Sequence, residues 1–179
     1  MSEANKNQGF LNPSTIVNSL DIQRGMSVAD FGCGAGHFTL SIARLVGPEG
    51  SVTGIDVHDS VLEALEGHKK IDNLAQLKTV RGDLESDSGS GLQGDSQDLV
   101  LCANILHQVE HSENILKEAR RVLKPGGRVV VIDWVERSPL GPKQRISRAE
   151  VEKIAGDTGL QSGGELDAGM AHYGLIFTK

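Results

Sequence analysis

The chain has 179 residues and a formal net charge of −6, with 38% hydrophobic, 23% charged and 3% aromatic residues. This length and balance predict one soluble globular domain with its own core. The scarcity of aromatic residues argues against a surface that stacks bases. The acidic charge, without a Lys/Arg run, argues against a nucleic-acid or anionic-membrane partner.

The cysteines and the first residues suggest a compartment. Cys33 and Cys102 have no CxxC spacing, which suits a reducing environment. The first ten residues are polar and lack the apolar core of a signal peptide, and the longest apolar runs are far too short to span a bilayer. We therefore expect a cytoplasmic protein without a membrane partner, and we expect no metal site.

Strands alternating with helices are predicted along the chain. Residues 1–11 are expected to be flexible and residues 12–179 to form a single domain. The predicted helices cover residues 13 onward, 37–46, 59–70, 112–123 and 147–159. The predicted strands cover residues 26–31, 51–57, 77–83, 97–104 and 128–135, with two short closing strands at 160–166 and 172–179. The Ser/Gly/Asp-rich segment 85–97 is expected to be a flexible surface loop.

Helix caps and strand composition indicate the fold class. Asn12 is the predicted cap of the first helix, and capping boxes begin at Ser60 and Ser147. The strands are apolar along much of their length, which is typical of a parallel sheet covered by helices on both faces. The sequence therefore predicts an α/β, doubly wound, Rossmann-like sheet that binds ligands at the carboxyl ends of its strands.

A glycine cluster follows the first predicted strand in the segment VADFGCGAGHF, residues 28–38, and contains Gly32, Gly34 and Gly36. Glycine is costly to order, so the cluster indicates backbone that turns sharply or closely approaches a ligand. A dinucleotide fingerprint would require glycine at position 37, where His37 stands. Asp30, just before the loop, would repel a pyrophosphate but attract an ammonium group.

Two further acids follow the next two predicted strands. Asp56 can accept hydrogen bonds from both hydroxyls of a ribose, and Asp83 can accept one from the exocyclic amine of a purine. With Asp30 they describe a ligand with an amino group, a ribose and an adenine, and with no required phosphate. The alternatives are a glycine turn that only packs, an Asp56 that is a solvated strand end, and an Asp83 that belongs to an ordinary turn.

These features strongly resemble the class I S-adenosylmethionine-dependent methyltransferases. The motifs follow in family-typical order over nearly the whole chain: VADFGCGAGHFT, VTGIDVH, VRGD, DSQDLVLCANILHQV and EARRVLKPGGRVVVIDW. Among relatives, the chain looks most like small bacterial and archaeal enzymes near the ubiquinone/menaquinone C-methyltransferases. The resemblance implies a seven-stranded sheet with an antiparallel last strand, with S-adenosylmethionine as the cofactor and S-adenosylhomocysteine as its product.

The resemblance also implies which residues hold the methionine end of that cofactor. Asp30 and the backbone of Gly32, Gly34 and Gly36 would bind it, with Cys33 as a spacer within the same loop. Asn104, at the end of the fourth strand, would contact the methionine portion through its backbone or side chain.

The nucleoside end of the cofactor is implied to lie at the ends of the second and third strands. Asp56 would hold the ribose hydroxyls and Asp83 the adenine amine. Val57 and Leu84 would pack on the two faces of the adenine ring. The three carboxylates would then share one cleft.

Methyl transfer itself requires a nucleophile aligned about 3 Å from the methyl carbon and a shell that excludes water. A base is needed only where the nucleophile must lose a proton. The catalytic candidates are His107, Asp133 and His172, at the ends of strands four and five and in the last hairpin. Either histidine could be the base, and Asp133 could position the substrate. The structural alternatives are a helix cap for His107 and a hairpin hydrogen bond for His172.

We expect a methyltransferase acting on carbon, oxygen or nitrogen of a small molecule. The alternatives are a protein or RNA acceptor, and a Rossmann module that binds a nucleotide without transferring methyl groups. Because segment 135–146 is too short for a cap domain, the pocket would be closed by the N-terminal segment with Phe10 and Leu11, by the substrate, or by a second chain in a homodimer.

Overall fold

The computed structural model describes residues 11–179. Phe10, with its predicted covering role, lies outside the described residues. Of the segment 1–11 that is predicted to be flexible, only Leu11 is described. Leu11 packs against buried side chains of the core. In the described part of the chain, no helix combines the length and apolar character that crossing a bilayer requires.

The centre of the fold is one sheet, which contains seven strands within residues 11–179. They are β1 (Ser27–Phe31), β2 (Ser51–Asp56), β3 (Leu77–Arg81), β4 (Gln97–Ala103), β5 (Leu123–Trp134), β6 (Gln161–Leu166) and β7 (His172–Thr178). Their order across the sheet is β3-β2-β1-β4-β5-β7-β6. The first five strands pair in parallel, and β7 runs antiparallel to both of its neighbours. The predicted sheet with an antiparallel last strand is confirmed.

Residues 11–179 contain five α-helices, of which the first precedes β1 and the others lie between strands: α1 (Pro13–Ser19), α2 (His37–Val46), α3 (Asp59–Ile71), α4 (Ser112–Val122) and α5 (Arg148–Asp157). A short 3₁₀ turn, Leu106–Gln108, follows β4. The side chains of α1, α2 and α3 join one apolar core, and those of α4 and α5 join another. The helices therefore cover both faces of the sheet, which explains why the central strands are apolar along their length.

The chain direction around the sheet reverses between β1 and β4, which are neighbours although two strands separate them in sequence. Connections from neighbouring strands leave towards opposite faces at such a point, and a crevice opens at the carboxyl ends. The fold therefore brings the segments after Phe31, Asp56, Arg81 and Ala103 to one edge of the sheet.

Two predicted caps are confirmed and one is wrong. Asn12 and Ser147 cap α1 and α5, because their side chains accept hydrogen bonds from backbone N–H groups three residues later. Helix α3 instead begins at Asp59, so Ser60 is not its cap. Its N-cap is His58, whose backbone N–H donates to Asp56 Oδ1 at 3.1 Å. The carboxylate after β2 thus fixes where the helix starts.

The segment predicted to be a flexible loop, residues 85–97, is tied to the core. Glu118, a buried residue of α4, accepts hydrogen bonds from the backbone N–H and the hydroxyl of Ser90. Arg121 pairs with Glu118 and donates to Leu92 O at 2.7 Å. Burial of a carboxylate costs free energy unless the carboxylate is paired, and Ser90 and Arg121 together provide the partners of Glu118. These bonds argue against the flexibility that composition suggested.

Candidate functional site

A cavity of about 380 Å³ opens at the carboxyl ends of β1 to β4, in the size range of small-molecule sites. Most of the predicted cofactor positions line it: Gly32, Gly34, Asp56, Val57, Asp83, Leu84 and Asn104. Asp30, Cys33 and Gly36 do not line it. Sequence reasoning missed other lining residues, among them Ile105 and Gln108, whose only signal is their position just after Asn104.

The glycine loop requires glycine for two separate reasons. Gly32 has a φ of +73°, and a Cβ there would lie 2.5 Å from Ile105 Cδ1. At Gly36, with a φ of +82°, a Cβ would collide with Leu65 of α3. Gly34 also has a positive φ, but a Cβ there would meet open space. The outer two glycines therefore allow close packing, and the middle one presents bare backbone to the cavity.

Asp56 is held in a fixed orientation at the end of β2. Its Oδ2 accepts a hydrogen bond from the backbone N–H of Gly34 at 3.0 Å, and its Oδ1 accepts one from His58 N–H at 3.1 Å. A carboxylate has about four lone-pair positions, so each oxygen keeps one free. The oriented side chain can therefore accept two hydroxyl hydrogens from a ligand in the cavity.

The wall beside Asp56 is apolar on two sides. Val57 is 43% exposed, and Leu84 is buried. Asp83 immediately precedes Leu84. Its carboxylate accepts hydrogen bonds from Glu85 N–H at 3.0 Å and from the Ser86 hydroxyl at 2.8 Å. These bonds are those of a turn, yet they leave acceptor capacity at the cavity surface.

Asp30 lies beneath the glycine loop rather than in the cavity. It is 2% exposed, and its Oδ2 accepts a hydrogen bond of 2.5 Å from the Thr39 hydroxyl of α2. Burial raises the pKa of Asp30 to about 6, and the negative charge of nearby Asp56 adds to the rise. The prediction of one cleft lined by three carboxylates therefore holds for Asp56 and Asp83 and is corrected for Asp30.

Cys33 and Gly36 serve the packing of the loop. The Cys33 thiol lies against Gly54 of β2, where an added Cβ would be 3.0 Å from its Sγ. Burial strongly raises the pKa of the Cys33 thiol, so it stays protonated. This placement agrees with the predicted role of Cys33 as a spacer.

Asn104 lines the cavity and carries one buried side-chain oxygen without a hydrogen-bond partner in the described residues. Its backbone is left-handed, with a φ of +56°, and its N–H donates to Ile132 O at 2.8 Å. Its side-chain Oδ1 is buried and has no hydrogen-bond partner within residues 11–179. A buried acceptor without a partner costs free energy.

The three predicted catalytic residues are brought together beside this cavity. His107 lies in the 3₁₀ turn after β4, and its Nδ1 is 2.7 Å from Oδ1 of Asp133, near the end of β5. Both residues are buried. Asp133 also accepts hydrogen bonds from the backbone N–H groups of Trp134, at 2.8 Å, and of His107, at 3.3 Å. The proposed helix-cap role of His107 is wrong, because α4 begins at Ser112 after His111.

His172 joins the pair from β7, where it lies opposite Trp134 of β5. The two rings have centroids 4.0 Å apart and planes tilted by 38°. Both ring nitrogens of His172 are buried without a partner in residues 11–179, so the predicted hairpin hydrogen bond is not found there. Burial lowers the pKa of His172 to about 4, and the neighbouring His107 contributes in the same direction. His172 is therefore uncharged near neutral pH.

The short segment after β5 folds over Trp134. Gly141, with a φ of +96°, lies so close to the indole that a Cβ would collide with it. The guanidinium of Arg145 holds the segment by donating to five backbone carbonyls: Val135, Glu136, Ser138, Leu140 and Pro142. Segment 135–146 is too short for a domain, yet it forms an ordered cover for one side of His107, Asp133 and His172, which we call the histidine cluster.

Comparisons of sequence place the chain among known proteins. A family model described as a methyltransferase domain matches residues 22–168. A demethylmenaquinone methyltransferase of Staphylococcus aureus is 34% identical over 118 residues, which cover 66% of this chain and 47% of that protein. A 37.1 kDa protein of transposon TN4556 from Streptomyces fradiae is 32% identical over 143 residues, 79% of this chain and 40% of that protein. The chain thus spans less than half the length of these relatives.

Comparisons of structure agree with the fold. An S-adenosylmethionine-dependent methyltransferase from Aquifex aeolicus has a TM-score of 0.85 at 24% identity, covering 94% of this chain and 89% of that one. An arsenic(III) S-adenosylmethionine methyltransferase from Chlamydomonas reinhardtii has a TM-score of 0.70 at 25% identity, covering 88% and 64%. The resemblance inferred from the motifs, the Rossmann-like fold and the cofactor S-adenosylmethionine are confirmed.

Proposed function

Because the chain belongs to the methyltransferase domain family, among the class I S-adenosylmethionine-dependent methyltransferases, we propose that it transfers the cofactor's methyl group to a small molecule. The demethylmenaquinone methyltransferase relative supports a small acceptor. The net charge of −6 also disfavours a nucleic-acid acceptor. A protein or RNA acceptor stays the alternative, and the predictions of a homodimer and of the cytoplasm stay predictions.

The oriented carboxylate of Asp56 is the observation that carries this proposal. It faces a cavity that is also lined by the apolar pair Val57 and Leu84 and by Asn104. In the proposed complex Asp56 would accept the ribose hydroxyls, and Val57 and Leu84 would hold the adenine. Asn104, which lines the same cavity, would contact the methionine portion through its backbone or side chain. The residues present therefore fit the cofactor without any added group.

The cofactor supplies an electrophilic methyl carbon when bound, and its sulfur keeps the electron pair of the broken C–S bond. The protein's part is to bind, orient and exclude water. The bare backbone at Gly34 lets the ligand approach closely, and Asp30 acts on the cofactor's ammonium group from beneath the loop. Within residues 11–179, no cluster of His, Cys, Asp or Glu is placed to hold a metal ion.

The test is calorimetric binding of S-adenosylhomocysteine. We expect the wild-type chain to bind it and not to bind NAD. Asp56→Asn removes the charge that strengthens two hydrogen bonds, so the affinity should fall about tenfold to a hundredfold. Asp157→Asn, which alters an exposed ion pair with Lys153 on α5, is the matched control and should bind like the wild type. Equal affinity of wild type and Asp56→Asn would count against the site.

A module that binds the cofactor without methyl transfer is the second candidate. One observation favours it: the [4+2]-cyclase SpnF shares the fold, with a TM-score of 0.79 at 18% identity, covering 93% of this chain and 80% of that one. The fold by itself therefore does not fix the reaction. Consumption of S-adenosylmethionine across a panel of small acceptors would distinguish the two, because the second candidate predicts none.

A further inference from the structure

Glu85 lines the cofactor cavity and joins two segments that form its wall. Its Oε1 accepts hydrogen bonds from the backbone N–H groups of Glu110, at 3.0 Å, and of His111, at 2.7 Å. Its backbone carbonyl accepts a third, at 2.9 Å, from the side-chain Nδ2 of Asn114 in α4. The turn after β3 is therefore fastened to the start of α4 by three hydrogen bonds that all end on one residue, and we call this connection the Glu85 bridge.

The same residue also orients the carboxylate of Asp83. The backbone N–H of Glu85 donates to Oδ1 of Asp83 at 3.0 Å, and the hydroxyl of Ser86 donates to Oδ2 at 2.8 Å. Asp83 is exposed, so few packing contacts restrict its side chain. A carboxylate that is ordered before its ligand arrives costs less free energy to fix on binding. The Glu85 bridge thus supports the turn that orders Asp83.

Apolar side chains on both sides of the Glu85 bridge line the cavity. Leu84 lies on the turn after β3, and Val109 and Ile115 lie before and after the two bridged amides. Leu84 and Ile115 belong to one buried core, and Val109 packs against it. The bridge therefore ties this apolar wall and the carboxylate of Asp83 into one unit at the same end of the cavity.

The charge of Glu85 also lies near the N-terminus of α4, where a negative charge is favourable. That interaction alone would stabilise the helix without affecting a ligand. Glu113, in the first turn of α4, supplies a similar charge, and its carboxylate lies 3.5 Å from Nδ1 of His111. Glu113 does not line the cavity. The two acids therefore separate an effect on the helix from an effect on the turn after β3.

We propose, on the basis of the cofactor site proposed above, that Glu85 is a positioning residue that gives this site its preference for adenine over other purine bases. In that complex Asp83 accepts a hydrogen bond from the exocyclic amine, and the Glu85 bridge keeps Asp83 in place for it. A base with a carbonyl instead of the amine presents an acceptor to a carboxylate. A fixed Asp83 cannot turn away from that unfavourable pairing, whereas a mobile one can.

The first experiment compares S-adenosylhomocysteine with S-inosylhomocysteine, whose base carries a carbonyl in place of the amine, by calorimetry. The wild type should bind the adenine compound about thirtyfold more tightly, the value of one hydrogen bond to a charged group. Glu85→Ala should reduce that preference to about threefold, because the turn and Asp83 become mobile. Glu85→Gln keeps an acceptor oxygen for the two N–H groups and should retain most of the preference. Glu113→Ala is the matched control and should retain all of it.

Hydrogen exchange of the wild-type amides tests the same coupling without a variant. If the Glu85 bridge holds Asp83 for the amine, binding of the amine must stabilise the bridge in turn, because coupling between two sites is reciprocal. At equal saturation, S-adenosylhomocysteine should therefore slow exchange of the Glu110 and His111 N–H groups about threefold more than S-inosylhomocysteine does.

An unchanged preference in Glu85→Ala would overturn the inference, as would an equal loss in Glu113→Ala or in Glu85→Gln. Equal exchange rates in the two complexes, or a wild type that binds both compounds equally well, would also overturn it. The two proposals stay distinguishable, because a wild type that fails to bind S-adenosylhomocysteine at all would refute the cofactor site itself.

Discussion

The cofactor cavity and the histidine cluster lie on the same edge of the sheet but are built in opposite ways. Around the cavity, Asp56 and Asp83 are partly or fully exposed, and neighbouring backbone and hydroxyl groups orient them. In the cluster, His107, Asp133 and His172 are all buried. His172 has no hydrogen-bond partner there within residues 11–179.

This difference follows from what each region must do. A cavity for a polar nucleoside gains from acceptors that are oriented before the ligand arrives, since less ordering is then paid on binding. In the buried cluster, exclusion of water lowers the local dielectric, which strengthens the interaction between His107 and Asp133. The same burial makes protonation of His172 unfavourable, so this histidine stays uncharged.

The largest effect is expected at the glycine loop, where the cavity depends on backbone geometry. Gly32→Ala places a Cβ within 2.5 Å of Ile105 Cδ1 at a φ of +73°. Overpacking and left-handed strain together should lower the free energy of unfolding by about 3 kcal/mol and abolish binding of S-adenosylhomocysteine. Urea unfolding and calorimetry measure the two effects.

Gly126 is the matched control for this substitution. It has a similar φ of +78°, but a Cβ there would meet open space. Gly126→Ala should therefore lose only the strain, about 1 kcal/mol, and should bind the cofactor product normally. If both variants lost the same stability and both still bound it, close packing of the loop against Ile105 would not be what shapes the cavity.

A smaller effect is expected from His172, which should make stability depend on pH in the cluster. Its pKa is about 4 in the folded chain, against 6.5 in the unfolded one. Between these values the unfolded state binds more protons than the folded state. The contribution of His172 to the free energy of unfolding is therefore complete above pH 6.5 and is lost as the pH falls towards 4. From pH 7.5 to pH 5 this loss should amount to about 2 kcal/mol of unfolding free energy.

His172→Phe keeps a ring against Trp134 but cannot be protonated, so this part of the pH dependence should disappear. His111→Gln, on the exposed start of α4, should retain it. Urea unfolding at the two pH values measures both variants. The same slope in wild type and His172→Phe would show that another group causes it.

The sequence predicted the cavity better than the cluster for a physical reason. Asp56 ends β2, whereas the glycines and Asp83 follow closely after β1 and β3, and parallel strands bring their ends to one edge of the sheet. The sequence places Asp30 in the cleft because it stands just before the glycine loop. The hydrogen bond to Thr39 that goes with its burial has no sequence signal beyond a hydroxyl in the first turn of α2. The orientation of a side chain at a strand end depends on such partners.

The grouping of residues in the histidine cluster could not be predicted without the register of the sheet. His107, Asp133 and His172 were predicted as separate candidates, and no local pattern joins them. The antiparallel pairing of β5 with β7 sets Trp134 opposite His172, and the turn after β4 brings Nδ1 of His107 to Asp133. The cover formed by Arg145 was missed because it depends on backbone carbonyls, which every sequence has.

The smallest expected effect lies between the two regions, at Asp30, a buried acid that belongs to the cavity side. Its pKa of about 6 leaves about half of it protonated at pH 6. An ammonium group of the ligand favours the carboxylate, so binding of S-adenosylhomocysteine at pH 6 should release about half a proton. Calorimetry in buffers of different ionisation enthalpy measures that release.

Asp30→Asn preserves the size of the side chain and its acceptor for Thr39, but it has no proton to release. The variant should therefore bind with little proton release at pH 6, whereas Asp157→Asn should behave like the wild type. If Asp30→Asn released as many protons as the wild type, Asp30 would not sense the ligand's ammonium. Asp30 would then act only in the packing of α2 against β1, and the cavity would hold its ligand with Asp56 and Asp83 alone.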